Sequence, residues 1–223
     1  IPLRLVGSEM CIRDRYNGLR ETKVTPLKTG NEDFKILFVG RISKEKGIFN
    51  LLNALQKVYL RGRKVKLQLA GDCSFRIKNR IYLKYKELDV DFLGNISYKK
   101  LSILYSSCSL GIVPSLHEQC SYVAIEMSMF GMPMIVSDVD ALSEMFEDEV
   151  NALKIPLVFD EDFGLELDEE KLTDAIIRLI DDKVLRQKLS ENAIKNYREK
   201  FTLDNMIENT INVYEQLIQQ DNA

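Results

Sequence analysis

The sequence predicts an α/β fold in which a parallel sheet is covered by helices on both faces. Three observations carry the prediction. Short apolar runs alternate with amphipathic helical segments, glycines close the first runs at Gly40, Gly71 and Gly94, and the chain from Glu169 onward reads almost entirely as helix. Strands buried on both faces are near-continuously apolar, and run, turn and helix in succession is half of a βαβ unit.

The first run, residues 35–39 (Lys-Ile-Leu-Phe-Val), reads as a buried strand ended by Gly40. Residues 47–58 follow with Ile48, Leu51, Leu52, Leu55 and Val58 at helical spacing. Residues 65–70 form the next strand, closed by Gly71-Asp72, then 77–87 a helix, 90–93 a short strand closed by Gly94, and 99–106 a helix. Residues 110–113 are a strand and 122–130 a helix with Ser121 as its N-cap; Gly131 and Pro133 punctuate before a strand at 134–136. Beyond Glu169, Leu172, Ile176, Leu179 and Ile180 share one helical face, and a last helix covers 204–218. No internal repeat at solenoid period is present.

With 31 basic and 34 acidic residues the net charge is −3, so the overall balance favours neither nucleic acid nor an anionic membrane as main partner. Cys11, Cys73, Cys108 and Cys120 are scattered, and His117 is the one histidine, which argues against a zinc site and for reduced thiols in a cytoplasmic protein. No apolar run reaches the roughly 20 residues that span a bilayer. The basic run Arg61, Arg63, Lys64 and Lys66 reads either as a contact for anionic lipid or as a solvated helix-to-strand connection. The chain starts at Ile1, and residues 6–15 resemble a translated adapter sequence, so residues 1–15 are expected to be a non-native or disordered leader.

In an open parallel sheet, ligands bind where strand ends lead into helix N-termini. The loop 40–47 (Gly-Arg-Ile-Ser-Lys-Glu-Lys-Gly) places Arg41 and Lys46 around the start of a helix, where a guanidinium fork and an ammonium could hold a diphosphate. The other reading is a solvated turn, with Lys44 and Glu45 facing water. The loop 114–121 carries His117 and Glu118 and leads into a helix whose apolar sequence contains Glu126. An ionised carboxylate in apolar surroundings costs at least several kcal/mol unless donors reach it, so Glu126 needs partners. A ribose would supply them; backbone groups near the helix start are the structural alternative. Alone, Glu118 reads as a surface acid and His117 as a hydrogen-bonded loop imidazole. Cys120 reads as a small packing residue rather than a nucleophile.

Taken together, the segments 38–47, 69–72, 92–94, 113–115 and 130–137, with Glu118 and Glu126 in an E-x7-E pair, resemble the donor-binding C-terminal half of GT-B glycosyltransferases of the family 4 (group 1) type. Tyr16-Asn-Gly-Leu19 looks like the turn at that family's domain junction. The resemblance implies a Rossmann-like domain over 34–200, an interdomain linker remnant at 16–33, and a C-terminal helix over 201–223 crossing back to an N-terminal domain that is missing here. It further implies a metal-independent, retaining transferase using a nucleoside-diphosphate (NDP) sugar and no cofactor. Arg41 and Lys46 would hold the diphosphate, with Glu118 beside the sugar as third member of the catalytic set. Gly40, Asn95, Ile96, His117, Cys120, Ser121, Tyr122 and Glu126 would bind the donor, Asn95 and Ile96 at the base and Glu126 at the ribose. The acceptor, a glycan, a lipid-linked molecule or a protein, is unknown, nucleic acid is not an expected partner, and peripheral contact of the full-length enzyme with the inner membrane stays open. One departure bears on the sugar: many relatives have a small, glycine-rich stretch where this chain has Gln119-Cys-Ser-Tyr122.

Three other enzyme classes and one non-catalytic role compete for the same residues. An epimerase requires acid and base carboxylates around the sugar that the sequence does not place, and a glycan phosphorylase requires a cofactor lysine context. A dehydrogenase lacks its Gly-x-Gly-x-x-Gly after the first strand. A non-catalytic nucleotide-sugar-binding or partner subunit is separated from an enzyme by whether Arg41, Lys46 and Glu126 face a common cleft.

Overall fold

The computed structural model describes residues 16–22, 33–161 and 164–221. The expected leader 1–15, with Cys11, and most of the expected linker lie outside the described residues. Six parallel strands, β1 (Lys35–Val39), β2 (Lys66–Ala70), β3 (Asp89–Gly94), β4 (Leu110–Val113), β5 (Met134–Ser137) and β6 (Leu153–Ile155), form one sheet in the order β3-β2-β1-β4-β5-β6. Helices α1 (Ile48–Leu60), α2 (Phe75–Lys84), α3 (Tyr98–Ser107), α4 (Tyr122–Met129) and α5 (Asp140–Met145) alternate with the strands. A β7–β8 hairpin (Leu157–Asp160, Gly164–Leu167) precedes α6 (Glu169–Asp181), α7 (Lys183–Lys200) and α8 (Leu203–Asp221).

β1 shows why its sequence is apolar without interruption. Ile36 and Phe38 join a core on one face with Ile48, Leu51, Leu52 and Ile176, while Leu37 joins a second core on the other face with Tyr105, Ile125 and Met127. Each large apolar side chain so buried contributes about 1.5–3 kcal/mol. The second core is rich in methionine: a Cβ on Gly111 would lie 2.5 Å from Met127 Sδ and 2.7 Å from Met132 Sδ, so β4 admits only glycine there without rearrangement.

The helix starts move where serine caps act. α2 begins two residues before the expected start because the Ser74 hydroxyl accepts from Ile77 N at 3.3 Å, and Ser97 caps α3 in the same way. Three elements carry no helical or strand signal in the sequence reading: α5, β6 and the hairpin. β6 is three residues long with a lysine at its centre, and the Lys154 ammonium is bound by Asp138 at 3.0 Å and Ser143 Oγ at 2.8 Å.

Acids of α6 neutralise part of the basic run. Arg61 pairs with Asp174 and Glu170, and Arg63 pairs with Asp181 at 2.8 Å; Lys66 pairs with Asp91 at 3.0 Å, from β3. At these residues the run is an ion-paired connection. At the junction, Leu19 N donates to Phe201 O and Leu203 N to Leu19 O, Tyr197 OH donates to Leu19 O, and the Tyr16 ring meets Phe201 edge-on at 5.1 Å. Residues 16–19 are thereby pinned to the turn between α7 and α8.

The loops after β1 and β4 touch through Gly47. Its φ of 67° is left-handed, and a Cβ there would lie 1.8 Å from the Pro114 carbonyl oxygen. Gly47→Ala is therefore expected to cost more than the roughly 1–2 kcal/mol of the left-handed backbone alone, because the loops must also separate. Urea denaturation of the variant checks this, and an unchanged midpoint would contradict the close approach.

Candidate functional site

The strand order reverses between β1 and β4, so the loops after these strands diverge and leave a crevice at the carboxyl edge of the sheet. Backbone bonds fix its floor: Gly40 N to Ala70 O, Ile42 N to Asp72 O and Gly71 N to Gly94 O, each 2.9 Å. Gly71 is required here as well, since a Cβ would lie 2.0 Å from Gly40 O. Across the crevice, Leu116 N donates to Glu45 O at 3.0 Å. Ser137 at the end of β5 is buried, and its hydroxyl donates to Ser115 O, holding the β4 loop from behind.

Two helices start at this crevice, α1 after Gly47 and α4 after Ser121, and neither has an acidic residue in its first turn. Their positive dipole ends are thus uncompensated by carboxylates of their own, which suits an anion.

Lys46 Nζ sits 2.7 Å from Glu118 Oε2, and Ser115 Oγ lies 3.3 Å from the same oxygen. Glu118 is 13% exposed and Lys46 35%, so the pair is partly buried while the ammonium stays reachable. Gly40, Arg41, Asn95 and Ile96 line one cavity of about 300 Å³ with Asp72 and Leu101. Leu101 lies one turn before Tyr105 on α3, and Tyr105 OH donates to Glu126 Oε2 at 2.6 Å. The Tyr105 ring stacks on Phe130 at 5.4 Å. Cavity and carboxylate therefore share α3 as a wall.

The carboxylate in the apolar helix thus finds its donor in a tyrosine of the neighbouring helix. Burial pushes the Glu126 carboxyl above the ordinary carboxylate range, and the Tyr105 hydrogen bond pulls it back in part. Burial first, then the Glu126 charge, drives the Tyr105 hydroxyl far above its usual range, so it remains a donor.

The remaining predicted residues differ in exposure. His117 is exposed on its loop, and Tyr122 is exposed at the start of α4. Ser121 is buried, its hydroxyl accepting from Ala124 N at 3.2 Å as the cap of α4. Cys120 accepts from Asn17 Nδ2 at 3.2 Å, which ties the Tyr16-Asn-Gly turn to the β4 loop. Lys44 and Glu45 are exposed, and Lys44 also reaches Glu166 Oε1 at 3.0 Å. Among the described residues no group of three or more His, Cys, Asp and Glu gathers as a metal site, and no helix is long and apolar enough to cross a membrane.

A family model described as glycosyl transferases group 1 matches residues 20–196. The chain belongs to that family. An uncharacterised glycosyltransferase of Methanocaldococcus jannaschii is 31% identical over 186 residues, which cover 82% of this chain and 45% of that protein. Among solved structures, a sucrose-phosphate synthase of Thermosynechococcus elongatus matches with a TM-score of 0.73 at 25% identity, covering 86% of this chain and 47% of that one. HepE of Anabaena, solved in complex with UDP and glucose, shares the fold with a TM-score of 0.67 at 21% identity, over 83% of this chain and 48% of that one. The group 1 chain spans about half the length of the curated relatives it matches. Its sheet is the Rossmann-like half of a GT-B architecture.

Sequence reasoning missed Tyr105, although a tyrosine inside a helix packed on the sheet has a hydroxyl in need of a partner. It also missed Glu166, which reaches from the hairpin to Asn50 Nδ2 at 2.8 Å as well as to Lys44, bracing α1 behind Lys46. No local signal marks that contact, because the residues are 116 positions apart.

An acid whose pKa is raised by folding holds its proton more tightly folded than unfolded. Its contribution to stability is greatest below its ordinary value of 4.5 and is lost as pH rises through the raised value. Glu126→Gln, which can still accept from Tyr105, is therefore expected to raise Tm relative to the parent more at about pH 8 than at about pH 4. Thermal melts of both proteins across pH check this; a Tm difference independent of pH would contradict it.

Proposed function

We propose that this chain is the donor-binding half of a retaining glycosyltransferase that moves a sugar from an NDP-sugar to an acceptor hydroxyl. The observation that carries the reading is the meeting of Lys46 with Glu118 at the switch point, beside two helix N-termini free of first-turn acids. That HepE, which shares the fold, was solved with UDP and glucose supports the donor class.

In this reading the diphosphate takes the Lys46 ammonium from Glu118, and Arg41 approaches from the cavity side. The freed Glu118 then turns to the sugar hydroxyls, so one exchange couples phosphate binding to sugar orientation. The base occupies the cavity beside Asn95 and Ile96, and the ribose hydroxyls donate to Glu126, replacing solvation that the carboxylate lost on folding. His117 and the backbone at Cys120, Ser121 and Tyr122 border the sugar.

As the bond between the anomeric carbon and the phosphate oxygen breaks, its electron pair and the negative charge go to the diphosphate. Lys46, Arg41 and the helix N-termini stabilise that charge where it develops, and the proposal assigns no metal or cofactor to the task. The acceptor oxygen attacks from the face the diphosphate leaves, and its proton passes to the departing phosphate oxygen, so configuration is retained. The acceptor site belongs to the part of the relatives' length that this chain does not cover. Helix α8, exposing Ile207, Ile211 and Tyr214 along one side, is the element that would dock there.

Thermal-shift titration with UDP, GDP and their sugar conjugates tests the reading. At least one nucleotide should stabilise the chain, and Lys46→Ala should weaken it about 10- to 100-fold, the loss of a charge-assisted hydrogen bond. Glu118→Gln should bind the free diphosphate at least as tightly as the parent while losing the increment contributed by the sugar. No stabilisation by any nucleotide, or a Lys46→Ala variant that binds like the parent, would count against the proposal.

A further inference from the structure

Helix α2 carries Arg76, Lys78, Arg80 and Lys84 and no acid, and Lys86 follows directly. Only Ile81 of this helix is fully buried, with Tyr85 beneath its C-terminus. On the outer side Phe75 is 84% exposed, Leu83 62% and Tyr82 53%. At 3.6 residues per turn, Phe75, Asn79, Tyr82 and Leu83 fall on one face, with Arg76 and Lys78 along its edges, and exposed Lys86 lies just beyond the end of the helix.

The charges of this face differ from the rest of the surface. Lys57, Arg61, Arg63 and Lys66 each have a carboxylate partner. Among the described residues, none of Arg76, Lys78, Arg80, Lys84 and Lys86 forms an ion pair. Lys78 Nζ lies over the Phe92 ring at 5.0 Å and Arg80 Cζ over Phe49 at 4.4 Å, cation–π contacts that bring no negative charge to cancel them. A chain of net charge −3 therefore concentrates positive charge on one helix, interleaved with exposed aromatic and aliphatic side chains.

We propose that the outer face of α2 docks on an anionic lipid surface. Arg76, Lys78 and Lys86 meet acidic headgroups, while Phe75, Tyr82 and Leu83 enter the boundary between headgroups and acyl chains, the two terms that together hold an amphipathic helix at an interface; Arg80 and Lys84 turn toward α1, at Phe49 and Asn53. A nucleic acid or other soluble polyanion would match the charge but leave Leu83 and Phe75 without a role. The helix starts at the carboxyl edge of the sheet, where Lys78 lines a cavity of about 250 Å³ with Asp72, Cys73 and Asn95. Docking thus sets the rim of the crevice against the bilayer. The inference rests on this surface alone and stands apart from the donor reading.

Sedimentation of the chain with phosphatidylcholine vesicles, and with vesicles of phosphatidylcholine mixed with phosphatidylglycerol, tests it. The chain should pellet with the mixed vesicles only, and progressively less as salt rises. Paired Arg76→Glu and Lys86→Glu should weaken binding by at least about 25-fold, at about fivefold for each cation lost. Paired Phe75→Ala and Leu83→Ala should weaken it too, and Arg63→Ala should not. Because the chain has no tryptophan, Phe75→Trp gives an unambiguous reporter whose emission should shift to the blue on the mixed vesicles. Unchanged thermal melts report that the variants fold. Absence of pelleting at low salt, indifference to both paired substitutions, or an emission that does not move would overturn the proposal. Equal binding to an RNA oligonucleotide that survives Phe75→Ala with Leu83→Ala would assign the face to soluble polyanions and overturn it as well.

Discussion

The contact between Gly47 and the Pro114 carbonyl is the constraint on which the crevice depends. Parallel strands β1 and β4 pair directly, but their connections leave in opposite directions along the sheet, so their loops would diverge if nothing brought them back. A residue without a side chain, in a left-handed conformation open to few others, lets the start of α1 press against the β4 loop. Leu116 then reaches Glu45, and Lys46 reaches Glu118. From below, Ser137 fixes Ser115; from the side, Glu166 of the hairpin fixes Asn50 and Lys44. The charges of the candidate site stand on a frame of backbone contacts and buried hydroxyls, which is what the proposed hold on a diphosphate requires.

The site also shows two ways of keeping a carboxylate in low-dielectric surroundings. Glu118 is held by an opposite charge, which makes it available only when that charge is claimed by something else. Glu126 is held by a neutral hydroxyl, which leaves its burial incompletely compensated and its proton affinity high. Each carboxylate carries a desolvation cost that its partner offsets in part; in the proposed donor complex, sugar hydroxyls would have to replace Lys46 at Glu118, and ribose hydroxyls would add donors at Glu126. Helix α2 differs in kind, since its cations meet aromatic rings or an amide and no carboxylate.

Much of this was legible in the residue order. Strands β1 to β5 and helices α1 to α4 follow from the alternation of apolar runs with amphipathic segments, and the loops that matter announce themselves by glycine, proline and charge. Glu126 stood out because a carboxylate between Ile125 and Met127 contradicts its surroundings. What stayed hidden was held by distant partners. Tyr105 looks like one more aromatic on a helix until α3 is placed beside α4, and Glu166 looks like one more surface acid until the hairpin folds over α1. β6 is too short to show a period, and its stability comes from pairing with β5 and from the Lys154 contacts. The basic run at Arg61 and Arg63 shows the reverse case, a lipid-like signal cancelled by acids that lie more than a hundred residues away.

The most direct measurement is amide chemical-shift mapping of the isotopically labelled chain during titration with UDP and GDP. A nucleotide site at the switch point requires the largest changes at Gly40, Arg41, Asn95 and Ile96 and at the start of α4, with side-chain changes at Lys46. Another cavity, of about 380 Å³, lies at the opposite edge of the sheet, lined by Tyr59, Arg63 and Glu87 among others. Shifts concentrated there, or no saturable shifts with either nucleotide, would contradict the placement of the donor between β1 and β4.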